Sequence, residues 1–206
     1  GADTVFMQED VRTENGAVIV PAGLQLGANR RLAGEDVRAG PAVLPAGRIL
    51  SIADIALASA LGLTELPVRR RIRVALFSTG DELVEPGKPL RGASLYDANR
   101  RLLTGLIASL GAVVTDLGIL SDDRAQLAAA LKEAAAGHDF VLTSGGVSTG
   151  EADHVRDAVE TIGTLVFWRV AIKPGRPVAM GVIGSCAFVG LPGNPVAVMV
   201  TFYEFV

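Results

Sequence analysis

The chain has 206 residues, enough for one large domain or two smaller ones with a buried core. Half of them are apolar, Gly and Ala are abundant and only 5% are aromatic, a balance that lets helices pack closely on a sheet of Val, Leu and Ile and so favours an α/β architecture. A net charge of -3 gives no basic footprint for nucleic acid, and no apolar run approaches the roughly 18 residues that would cross a bilayer.

Residues 1–52 carry short apolar stretches, 18–20 and 42–44, separated by Pro and Gly. This punctuation predicts a small β-rich module, placed at residues 1–68. Ser51 is a candidate cap for a helix over 52–61 that Gly62 would end. The basic stretch Arg69, Arg70, Arg71, Ile72, Arg73 reads as a solvated lead-in to a strand rather than as a phosphate site. A second domain, 72–206, then alternates strand and helix. Strands are predicted at 74–77, 113–120 and 140–143, and helices at 99–110 and 124–136, the latter capped by Ser121 or Asp122. This order implies a mostly parallel sheet with crossover helices. Further strands at 165–170, 178–183 and 187–191 lead to a helix starting near Asn194, and another helix is expected to begin near Asp153. The segments GADTVFMQED and TFYEFV read as interrupted elements, so the chain is expected to be a fragment.

Ligands of open parallel sheets bind beyond the carboxyl ends of the strands, and three loops fall there. In STGDEL, residues 78–83, Gly80 permits a tight turn after Thr79 and brings Asp81 and Glu82 to its tip; a plain acidic turn explains the motif equally well. In TSGGVSTGEAD, residues 143–153, Gly145 and Gly146 allow close backbone approach, Ser144 and Ser148 flank them with hydroxyls, and Val147 lies between. The combination suits a phosphate yet matches neither a Walker nor a dinucleotide fingerprint. Glu151 and Asp153 would repel a phosphate unless a metal or a cation offset them, which points to magnesium; their competing use is to favour a helix N-terminus. In PGNP, Pro192 and Pro195 stiffen the backbone, Gly193 permits close approach and Asn194 can cap the next helix. Arg169, Lys173 and Arg176 in FWRVAIKPGRP are candidate partners for a phosphate or an oxyanion such as molybdate, with surface charge as the competing account. Trp168 reads as packing against the sheet, His138 and His154 as structural, and Cys186, the one cysteine, as a small buried hydrophobe in a reducing, cytoplasmic setting.

Taken in order, STGDEL, LYDANR, LGILSDD, TSGGVSTGEAD, FWRVAIKPGRP and GLPGNP, with GADTVFMQED, NRRLAGED and LPAGRIL upstream, resemble the molybdopterin molybdenumtransferases, the MoeA proteins and the gephyrin E domain. The resemblance covers essentially the whole chain. It implies a three-layer, MogA-like molybdopterin-binding domain and an enzyme that converts adenylylated molybdopterin and molybdate to molybdenum cofactor with release of AMP, assisted by Mg2+. It also implies catalytic roles for Glu82, Asp123, Asp153, Lys173, Arg169 and Asp36, with Glu82 and Asp153 on the metal. Pterin phosphate and nucleotide would lie around Thr79, Gly80, Asp81, Ser144, Gly145, Gly146, Val147, Ser148, Arg176, Pro192, Gly193, Asn194 and Pro195. The resemblance further implies a homodimer of a longer chain, with an additional N-terminal segment and a C-terminal β-barrel domain beyond Val206. Two alternatives compete with this reading, a molybdopterin adenylyltransferase-like enzyme and a non-catalytic dimeric scaffold.

Overall fold

A computed structural model of the chain describes residues 2–147 and 154–206. They divide into two compact units, Gly1–Pro67 and Val68–Val206. In the first unit a single 3-10 turn, Gln8–Asp10, precedes an antiparallel hairpin of β1 (Arg12–Glu14) and β2 (Ala17–Ile19). Its turn is Asn15-Gly16, both at positive φ (50° and 79°), the dipeptide best suited to a tight two-residue hairpin turn. The apolar stretch 42–44 stays outside any strand; Pro41 and Pro45 flank it, and neither has an N–H to give a ladder.

Helix α1 (Ile52–Ala60) starts as its sequence predicts. The Ser51 hydroxyl accepts from Asp54 N, and the Asp54 carboxylate accepts from Ser51 N at 2.8 Å, closing a capping box. Arg48 Nε adds a third donor at 2.9 Å. These bonds, that from Arg48 foremost, hold the buried Asp54 carboxyl at about 2, against about 4 for an ordinary aspartate. Because the native value is depressed, the stabilisation from Asp54 is complete above about pH 4 and is lost as the pH falls towards 2. Thermal midpoints measured across this window should therefore fall less steeply in Asp54→Asn than in the wild type, and an equal slope would dismiss the capping box as its source.

In the second unit the elements run β3 (Arg73–Thr79), β4 (Leu83–Val84), β5 (Leu95–Tyr96), α2 (Asn99–Ser109), β6 (Val113–Leu120), α3 (Arg124–Gly137), β7 (Phe140–Ser144), α4 (His154–Ile162), β8 (Thr164–Phe167), β9 (Ala179–Ile183), β10 (Cys186–Leu191) and α5 (Pro195–Phe205). Six strands form one sheet in the order β6-β3-β7-β10-β9-β8. β6, β3, β7 and β10 are mutually parallel, and β9 runs antiparallel to both β10 and β8. The expected mostly parallel α/β sheet is thus present.

Alternation along the strands sorts the core into two faces. Val74, Leu76, Leu142, Val189 and Leu191 pack against α2 and α5 through Leu103, Ile107, Val198 and Phe202. Ala75, Phe77, Val141 and Phe188 pack against α3 and α4 through Leu127, Leu131, Val155 and Val159. Three layers result, helix, sheet and helix. β6 keeps its place through an irregularity opposite Phe77: Leu76 pairs with Asp116 but Ser78 with Ile119, and Gly118 takes φ 79° there. The extra residue lets Leu117 and Leu120 both reach the α3/α4 face.

Three boundaries depart from the sequence reading. The strand expected at 165–170 ends at Phe167, before the chain turns towards Pro174 and Pro177. Leu110 lies beyond α2 and is exposed rather than part of its buried stripe. The cap of α3 is Asp123, whose carboxylate accepts from Gln126 N at 2.9 Å, and not Ser121 or Asp122; Ser121 instead accepts from Asp123 N and orients the cap. The short parallel pair β4–β5 was not anticipated, because two-residue strands carry no periodicity to read.

Candidate functional site

The chain leaves β3 towards α2 on one face, and α4, which follows β7, lies on the other. β3 and β7 are sheet neighbours, so their carboxyl ends bound a crevice at a topological switch point. A cleft of about 730 Å3 opens there, walled by the loop after β3, the glycine loop after β7, residues 172–177 and the PGNP turn after β10. A smaller pocket of about 170 Å3 adjoins it on the α2 side, sharing Thr79, Glu82, Gly145 and Gly193 and adding Tyr96, Asp97 and Asn99.

The two glycines of the loop are required by contact as well as by conformation. Gly145 (φ 84°) lies so close to the end of β3 that a Cβ would stand 2.5 Å from the Thr79 carbonyl oxygen. At Gly146 (φ 66°) a Cβ would meet the Thr79 methyl at 2.5 Å and collide with Val155. The Gly145 amide does not cradle a ligand: it donates to Leu191 O at 3.1 Å and ties the loop to β10. Val147 is buried in the core beneath the loop while still lining the cleft floor.

On the β3 side, Gly80 (φ 149°) lets the Glu82 carboxylate fold back to 2.8–3.0 Å from the point its own Cβ would occupy, so Glu82 turns into the cleft. Asp81 is exposed at the turn and is not part of the lining. Thr79 donates its hydroxyl to Asp122, which lines the cleft. The acidic residue that the fold turns towards the site from the β6–α3 loop is thus Asp122, whereas Asp123, the one expected, spends its carboxylate on the helix cap.

Opposite, Lys173 and Arg176 are exposed along the rim. Their loop, which contains a cis Lys173–Pro174 peptide, is closed by Val170 N donating to Arg176 O at 3.1 Å and is anchored by buried Gly175, where a Cβ would strike the Thr201 methyl. Arg169 is exposed at the start of this loop and does not line the cleft. Pro192, Gly193 and Asn194 form the fourth wall; Asn194 caps α5 by accepting from Val196 N and Ala197 N, and Pro195 occupies the first helical position. Asp36 belongs to the first unit and pairs there with Arg31. Ser148 and Asp153 lie outside the described residues.

Among the described residues no three His, Cys, Asp or Glu side chains cluster as a metal cage. Glu82 and Asp122 nevertheless share one cleft with cations, and Mg2+ commonly takes one or two carboxylates and completes its shell with phosphate oxygens and water. The donor set fits such an ion.

Residues read as structural behave so. Cys186 is buried, and burial pushes its thiol up. Trp168 packs on the α3/α4 core with Arg156 5.8 Å above its ring. His138 is held by Ala134 O and Thr115 Oγ1, both at 2.8 Å. Within the basic stretch, Arg70 grips Asp139 through two bonds of 2.5 and 2.6 Å and holds its carboxyl well below the usual range. No helix among the described residues is long and apolar enough to cross a membrane.

Sequence reading missed a charged group behind the small pocket. Arg100, almost wholly buried, bonds Asp97 at 2.8 Å and both oxygens of Glu85 at 2.5 and 2.6 Å, and its Nε lies 2.7 Å from Asp116. Burial opposes its charge, but the bond to Glu85 and the charges of Asp97, Asp116 and Glu85 hold its pKa above the ordinary value. Asp97 stands at the local i,i+3 spacing, but Glu85 and Asp116 lie 15 and 16 positions away on other segments, so no local spacing signals the cluster.

The sheet order defines a doubly wound α/β domain with a crevice at a switch point, lined by both cationic and acidic side chains. Residues 75–206 match the family described as a probable molybdopterin binding domain, and residues 1–62 match the MoeA N-terminal region, domains I and II. A molybdopterin molybdenumtransferase of Haemophilus influenzae is 44% identical over all of this chain and 51% of its own length. The crystal structure of a MoeA protein from Pyrococcus horikoshii superposes with a TM-score of 0.77 at 32% identity, over 100% of this chain and 49% of that one. A molybdenum cofactor biosynthesis protein B shares the fold alone, at a TM-score of 0.52 and 21% identity over 66% of this chain and 89% of that one. The chain belongs to the molybdopterin molybdenumtransferase family, and it spans about half the length of the curated relatives it matches.

Proposed function

We propose that the cleft binds adenylylated molybdopterin together with molybdate, and that the full-length protein inserts molybdenum into the pterin with release of AMP. The observation that carries this reading is the convergence, on one switch-point cleft, of the crowded Gly145-Gly146 turn, the cations Lys173 and Arg176, and the carboxylates Glu82 and Asp122. The open backbone at Gly193 leaves room for a phosphate against the PGNP wall, and the packed glycine turn holds the neighbouring wall in place. Lys173 and Arg176 attract molybdate and the phosphates, and stabilise the negative charge that builds on phosphate oxygens as the adenylate is cleaved. Arg169, which does not line the cleft, would contribute only through its longer-range charge. Glu82 and Asp122, with Asp153, would hold a magnesium ion, which when bound supplies positive charge to the same oxygens. The match of residues 1–62 to the MoeA N-terminal region favours molybdenum insertion over pterin adenylation. A cytoplasmic homodimer of the longer chain belongs to the same proposal.

The test is AMP release from adenylylated molybdopterin by the full-length protein, with and without molybdate. Release should depend on molybdate, and Lys173→Ala or Asp153→Ala should slow it by roughly 100-fold, the usual loss when one charge-stabilising group is removed. Wild-type rates in both variants would falsify the site assignment, and release indifferent to molybdate would overturn the reaction.

A further inference from the structure

Asn99 has no part in the capping of its own helix. It is the first residue of α2, and the amide of Arg100 is instead met by the Asp97 carboxylate at 3.1 Å. The Asn99 side chain reaches across to two other segments, its Nδ2 donating to Ser144 Oγ at 2.9 Å and to Gly193 O at 2.7 Å. A carbonyl oxygen only accepts, so the group facing Gly193 must be the NH2, and both of its hydrogens are used. Ser144 Oγ passes the link on to Pro192 O at 3.4 Å. Among the described residues the opposite Asn99 oxygen is buried and finds no partner, a penalty that an apolar side chain would avoid. What Asn99 does provide is the double donor.

Ser144 and Leu191 are register partners at the last rung of the β7–β10 ladder, and beyond them one strand opens into the glycine loop and the other into PGNP. The sheet no longer sets the separation of the two loops past that point. Among the described residues, the hydrogen bonds across this gap besides Gly145 N to Leu191 O run through Asn99 and Ser144. We infer that Asn99 is a positioning residue, a clasp brought from α2 that fixes the spacing between the glycine loop and the PGNP wall, and thereby the fit of the phosphate-bearing ligand between them. The ligand part of this inference rests on the proposed function; the clasp itself does not.

Three variants of the full-length protein test it. Asn99→Asp keeps the shape but sets a carboxylate oxygen against the Gly193 carbonyl, which only accepts, while the Ser144 hydroxyl can turn to donate to it, so the reach to Gly193 is lost. An Asp in the first turn of a helix is otherwise favourable, so the variant should fold as well as the wild type. Asn99→Ala removes the clasp, and Asn99→Gln restores a donor amide on a longer arm. Amide hydrogen exchange in residues 144–147 and 192–194 should quicken about tenfold in Asn99→Asp and Asn99→Ala while the core strands stay protected, as expected for a local opening. KM for adenylylated molybdopterin should rise about tenfold with kcat little changed, since ligand and transition state lose the same wall, and Asn99→Gln should recover part of that. Wild-type exchange in Asn99→Asp, or exchange raised evenly over the whole unit, would overturn the clasp. Faster loop exchange with an unaltered KM would overturn its role in binding. If the wild type itself turns over no substrate, the functional reading fails, and exchange still decides the clasp.

Discussion

Arg100→Met should unfold more readily than the wild type by about 3–5 kcal/mol, the cost of leaving a buried charge without its partner. Asp97 is 2% exposed and Arg100 is its ion-pair partner at 2.8 Å. Glu85 and Asp116 are about one-third exposed and recover solvation by turning outward, so most of the loss falls on Asp97. The midpoint should drop on the order of 10 °C in thermal unfolding. Adding Asp97→Asn removes the stranded charge, so the double variant should be more stable than Arg100→Met alone. Equal stability of the two would mean that Asp97 is not the group that suffers. The cluster bridges the segment after β4, the start of α2 and β6, so its loss also frees the wall carrying Tyr96, Asp97 and Asn99.

Gly145→Ala should lose roughly 100-fold in kcat/KM, the penalty expected when a ligand wall moves by about an ångström. A Cβ there would lie 2.5 Å from the Thr79 carbonyl oxygen, and Thr79 cannot yield because it closes the β3–β6 ladder opposite Leu120. The φ of 84° adds a steric cost of about 1–2 kcal/mol for any side chain. The loop must therefore move, carrying Gly146 with it. Gly105→Ala provides the contrast, since a Cβ at that exposed position of α2, outside the cleft, meets nothing within 4 Å, and it should retain the activity. Comparable losses in both variants would show that the crowding at Thr79 is not what shapes the loop.

Much of this protein was decided by local sequence. The apolar alternation of β3, β7 and β10 and the stripe of α2 specified elements that can bury their faces in only one arrangement, with helices on both sides of a largely parallel sheet. Ser51 and Asn194 announced their helices because a cap bonds to backbone two or three residues away. The glycine loop and PGNP were legible as tightly held turns at strand ends, and the structure brings both to one cleft, the glycines being needed for close packing on Thr79 and Val155. Only the tertiary structure decided what depends on direction and distance in space. It separated Asp122, turned into the cleft, from Asp123, spent on a cap, although adjacent aspartates look alike in sequence. It placed Lys173 and Arg176 on the rim and Arg169 off it, a difference set by where β8 ends and how the following loop closes. It also joined Asn99 to Gly193, 94 positions apart, and Arg100 to three carboxylates on separate segments. Periodicity and capping act over a few residues and can be read along the chain, whereas a site built where strands end is assembled from loops that meet only once the sheet has formed.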